Sequence, residues 1–97
     1  MKKIRIENQE VINLLEAEAY EVNSRQSLLA YMAQNGVLPS DPAFMAYHKE
    51  FQEHFIKYEA AKAELEREYV APLLPEGRTA SWRLDYASHE LAIQGVD

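Results

Sequence analysis

The residues with the most chemical potential are His48, Glu50, Glu53 and His54, together with Glu16, Glu18 and Glu21 earlier in the chain. Carboxylates and imidazoles on facing helices can hold a di-iron or di-manganese centre. That chemistry uses inward-facing Glu-x-x-His pairs, with the ligands three residues apart. The motif is absent: Glu50 and His54 stand four apart and could share a helix face, but helix pairing explains them equally well. If the two helices run antiparallel, Glu16 and Glu18 fall opposite residues nearer Tyr58 to Leu65 than His54. The expectation is a solvated charged face, with no metal and no cofactor. A ferritin-like metal-binding protein built from two such hairpins is the alternative this cluster leaves open.

Other catalytic chemistry finds less support. No cysteine is present, which removes thiolate nucleophiles, disulfides and cysteine-ligated metals. Ser24, Ser27 and Ser40 lack a G-x-S-x-G setting or an identifiable base. The three glycines, at positions 36, 77 and 95, cannot form a phosphate-cradling loop. His89 stands in an expected loop without a partner, and an exposed side chain is the simplest reading. The sequence therefore points away from an enzyme.

The elements that would position these residues are helical. Asn8 can cap a helix with Glu10 in its first turn. Neither proline nor glycine interrupts the run from Gln9 to Gln34, where Val11, Leu15, Val22, Leu29 and Met32 recur at helical spacing. Asn35-Gly36 supplies the stop. Asp41-Pro42 restarts the chain as cap and first helical residue. Phe44, Tyr47, Phe51, Phe55, Tyr58, Leu65 and Tyr69 then follow at steps that form one stripe. Helices are expected over 8–35 and 41–70, the second ending because Pro72 disfavours helical geometry at Ala71.

A linker over 72–80, around Leu73-Leu74-Pro75-Glu76-Gly77, leads to a strand-rich tail over 81–95. Trp82, Leu84 and Tyr86 alternate with polar residues, as do Leu91 and Ile93, and Ala87-Ser88-His89-Glu90 reads as a hairpin loop. A lone hairpin is marginal. It must dock on the helices, recruit the alternating Lys2–Ile6 segment, or pair with another chain. The expected fold is thus mainly α: an antiparallel two-helix hairpin with a small C-terminal β-hairpin, in a single domain, completed by dimerisation into a helical bundle.

Two features carry the functional expectation. A stripe such as that on the second helix reads first as core, yet a hairpin touches along one seam and leaves part of each stripe uncovered. Phe44, Tyr47, Phe51, Phe55 and Tyr58 therefore mark a candidate partner or oligomer interface, joined by Trp82, which can either anchor a partner or clamp the tail. Glu18 and Arg25 flank Val22. They either lie in the seam and set its register, or sit at its edge with Ala19 and Gln26 inside; the edge reading is preferred.

With 97 residues, a formal charge of −6 and 47% hydrophobic residues, the chain suits one globular domain. Its acidity argues against nucleic acid, and acidic residues separate most of the basic ones. No signal peptide or membrane span is visible, so a cytoplasmic location is expected.

The run Glu21 to Met32, the run Tyr58 to Val70 and the segment Trp82-Arg83-Leu84-Asp85-Tyr86 resemble small bacterial accessory proteins. Those are encoded with radical-SAM peptide-modification systems whose precursor peptides carry CXXX repeats. The resemblance implies a non-enzymatic helper that holds a precursor peptide or a modifying enzyme. The function expected is an accessory protein that self-associates and binds a peptide or protein partner. A structural component of a phage-like assembly is the other alternative.

Overall fold

A computed structural model describes residues 1–75, 78 and 80–95. In order these form strand β1 (Lys2–Arg5), helix α1 (Gln9–Gln34), helix α2 (Pro42–Leu65), a π turn (Glu66–Val70), a 3-10 turn (Ala71–Leu73), strand β2 (Trp82–Asp85) and strand β3 (Glu90–Ile93). The fold is mainly helical, with a small antiparallel sheet. Glu76, Gly77 and Thr79 of the expected linker lie outside the described residues.

The helix ends follow local chemistry. The Asn8 side-chain oxygen accepts the Val11 amide at 3.2 Å, so the cap forms as expected. At the other end Gly36 takes φ 82°, and the Val37 amide reaches back to the Met32 carbonyl at 3.0 Å. That is the left-handed stop a glycine allows. Asp41 then caps α2 through the Ala43 amide at 2.9 Å.

The end of α2 departs from expectation. The α-helix stops at Leu65, and the next turn widens so that the Ala71 amide bonds the Glu66 carbonyl, five residues back. Ala71 itself keeps helical angles (φ −56°, ψ −40°) although Pro72 follows. In a regular helix the proline ring meets the carbonyl four residues earlier. Widening the turn before Pro72 changes the geometry of that approach, and the chain closes with a 3-10 turn instead of stopping at Val70.

The sheet has order β1-β3-β2, with both pairings antiparallel. The N-terminal segment is therefore the third strand, and it pairs with β3. Ile4 faces Leu91 from one side and Leu84 faces it from the other. Glu90 belongs to β3 and not to the loop. His89 is half-buried rather than exposed, takes φ 61°, donates its amide to Asp85 and accepts the Ile6 amide at 2.8 Å.

The chain divides into two units: Met1–Glu16 with Ala61–Asp97, and Ala17–Ala60. In the first, Ile6, Val11, Ile12, Leu15, Ala61, Leu65, Val70, Leu91 and Ile93 are buried. This is a dry core assembled from helix ends and sheet. Asn8 adds polar ties to its π turn, through Tyr69 at 3.2 Å and Glu68 at 3.3 Å.

Candidate functional site

The second unit holds the residues singled out for chemistry. His54 Nδ1 lies 2.7 Å from Glu18 Oε2, and His54 Nε2 lies 4.0 Å from Glu21 Oε2. Glu21 also takes Arg25 at 3.1 Å, one helical turn on, and the other arm of Arg25 reaches Glu50 at 3.7 Å. Five side chains from α1 and α2 thus form one chain of charge across the seam. Glu18 is the only buried charged residue among those described.

Three expectations are corrected here. Glu18 lies opposite His54, not opposite Tyr58 to Leu65. The turn is centred near Gly36, and 36 − 18 = 54 − 36, so equal arms bring the two together. Glu18 and Arg25 are in the seam, whereas Gln26 is exposed, which overturns the edge reading. The solvated face is corrected only in part: Glu16, His48, Glu50 and Glu53 are exposed, whereas Glu18 is buried and Glu21 and His54 are half-buried. A rule of equal arm lengths about the turn was the signal that could have found this.

The geometry limits what the network can do. With Glu18 as a carboxylate, its oxygen accepts and His54 Nδ1 donates across the short bond. The other ring nitrogen faces Glu21. Both nitrogens are therefore turned toward carboxylates. Among the described residues no group of three His, Cys, Asp or Glu side chains is placed to hold a metal ion. Opposed charges at fixed positions along a seam do suit one task, which is to hold the two helices in a single register. Arg25 Nε is buried without a hydrogen-bond partner among the described residues, so the network is not fully satisfied.

Beside the seam runs the aromatic row. Phe44 stacks on His48 at 6.3 Å, His48 meets Phe51 at 6.3 Å, and Phe51 stacks on Phe55 at 5.9 Å. The reading of this stripe as core is corrected: Phe44, Phe51 and Tyr58 are only half-buried, Tyr47 is 41% exposed and Phe55 43%. The buried residues of α2 are Ala61 and Leu65, in the other unit. The row turns sideways from the line through His54, so pairing along that line leaves it beside the contact. Met45 and Phe44 line a shallow depression with Pro39, His48, Lys49 and Gln52 next to it.

Trp82 is placed in the first unit. Its ring nitrogen donates to Glu66 at 2.9 Å and the side chain is half-buried, so it ties β2 to the π turn. Asp85 accepts the amides of Ala87 and Ser88 at 2.9 and 3.3 Å. Those two backbone bonds, Ala87 first, hold its carboxyl below the usual aspartate value.

The fold so described is a helical hairpin combined with a three-stranded antiparallel sheet. No family model matches the chain, and neither a curated protein nor a solved structure is similar to it. Among the described residues no helix is long and apolar enough to cross a membrane.

Proposed function

We propose that this chain is a non-enzymatic interaction protein that self-associates and holds a peptide or protein partner against the aromatic row of α2. The observation that carries the reading is the poverty of burial in Ala17–Ala60. Only Glu18 and Val22 are buried there, while Met45, Tyr47, Phe55 and Ile56 stand in water. The contiguous part of that exposed surface is the row in which Phe44, His48, Phe51 and Phe55 meet ring to ring, and such a patch on a small protein marks an interaction site. The charge network supports the reading by keeping both helices in one register, so the row is presented as a preformed surface and less ordering cost falls on binding.

The resemblance to accessory proteins of radical-SAM peptide modification names a first partner to try, a precursor peptide with CXXX repeats. Titration of such a peptide, followed by calorimetry, is compared between the native chain and a Tyr47→Ser/Phe55→Ser variant. Binding that the double substitution weakens by roughly tenfold or more supports the row as the surface. Equal binding by both proteins removes the row from the reading. Absence of binding removes the peptide, and the same pair of proteins then serves to compare partners captured from native cells.

A further inference from the structure

The order β1-β3-β2 leaves two sheet edges, and they differ in charge pattern. β1 carries Lys2, Lys3 and Arg5, so a second β1 laid antiparallel against it sets cation against cation. Lysine and arginine on an edge are a common guard against such pairing. β2 reads Trp82-Arg83-Leu84-Asp85 and continues into Tyr86. About Leu84 this pentad is self-complementary: reversed, it sets arginine against aspartate twice and aromatic against aromatic at the ends.

The backbone has the matching phase. The Gln94 amide donates to Ser81 at 2.9 Å, and Arg83 faces Ala92 while Asp85 faces Glu90. Hydrogen-bonded and non-bonded pairs alternate in an antiparallel ladder. Ser81 and Arg83 therefore turn their backbone groups to β3, the Asp85 carbonyl takes the His89 amide on the same side, and the groups of Trp82 and Leu84 point to the outer edge. Among the described residues no backbone group bonds to Trp82 or Leu84 from that side.

We propose that the outer edge of β2 pairs antiparallel with the same edge of a second copy of this chain, centred on Leu84, with Arg83 of each copy opposite Asp85 of the other. The inference rests on the self-association in the proposed function and assigns it a surface separate from the aromatic row. The two-fold relation is the one a symmetric dimer requires, because every contact occurs twice. Leu84 would meet Leu84 in a hydrogen-bonded pair. Arg83 and Asp85 would occupy the closer, non-bonded positions, where cross-strand charge pairs interact most directly.

The test is sedimentation equilibrium over a concentration series, with circular dichroism confirming that each variant is folded. The native chain forms a dimer. Arg83→Asp sets like charges opposite each other twice and weakens the dimer roughly tenfold or more, whereas Arg83→Lys stays near the native value. Asp85→Lys is also weakened, yet an equimolar mixture of Arg83→Asp and Asp85→Lys chains forms a heterodimer, because every opposed pair again has opposite sign. Because Asp85→Lys removes the cap of the 86–89 turn, the comparison of Arg83→Asp with Arg83→Lys decides alone if that chain is unfolded. A native chain that stays monomeric at high micromolar concentration overturns the pairing and leaves partner binding by the row to be measured separately. A dimer that ignores Arg83→Asp but separates on Phe55→Ser overturns the pairing while the row stands as the self-association surface.

Discussion

In the unit formed by the chain ends, Leu65, Leu91 and Ile93 have no exposed surface at all, and helix ends and strands close around them. In the unit of Ala17–Ala60, the seam between two helices holds a glutamate, a histidine and an arginine, and aromatic rings stand outside it. Both units draw on similar proportions of apolar residues. They differ in the number of layers available. A sheet and helix ends can surround a side chain, whereas two helices offer one line of contact and leave a row on each flank uncovered. The first unit thus closes a core, and the second leaves its aromatic row partly exposed.

The largest expected effect is at the finished core. Leu65→Ala should cost about 3 kcal/mol, because the site is sealed on all sides and the cavity cannot collapse. Leu29→Ala, at a half-buried position in the second unit, should cost about 1 kcal/mol or less, because water can enter the space. Urea unfolding of the two variants measures the contrast. Equal losses would mean that the second unit is as tightly packed as the first.

The next effect concerns the charged seam. Glu18→Ala leaves His54 without its acceptor in a partly buried position and should cost about 1–2 kcal/mol. Replacing both partners, Glu18→Leu with His54→Leu, should return stability to within about 1 kcal/mol of the native chain. In that double variant the helices should slip more readily, seen as faster amide exchange along Ala17–Ala60. A double variant that unfolds as readily as Glu18→Ala would show that the pair is needed for stability itself and not for register.

The smallest effect lies at the sheet turn. The amides of Ala87 and Ser88 hold the carboxyl of Asp85 below the ordinary aspartate value. A lowered folded-state value means that the contribution is present above the ordinary aspartate range and is lost as pH falls through the folded value. The Ala87 and Ser88 amide resonances should therefore titrate together below the ordinary range. Asp85→Asn should abolish that titration with little change in fold at neutral pH. Amide shifts that move at the ordinary aspartate value would contradict the turn geometry.

Much of this architecture is legible in the residues themselves. Asn8, Gly36 and Asp41 act within one turn of their own positions, so their caps and stops depend on local geometry. Helical spacing likewise announces both helices and the aromatic row, and alternation announces three strands. Other features depend on segments far apart in the chain. Which strand stands in the middle of the sheet, how α2 passes Pro72 through a widened turn, and that Glu18 meets His54 across 36 residues are decided by the way distant surfaces fit. Local propensity carries no information about that fit, since a shift of one helical turn keeps every stripe intact and changes every partner. The sequence by itself determined the elements and the faces they could bury. Only the tertiary structure decided that the chain ends close a dry core, that the seam of Ala17–Ala60 is charged, and that the aromatic row of α2 is left in water.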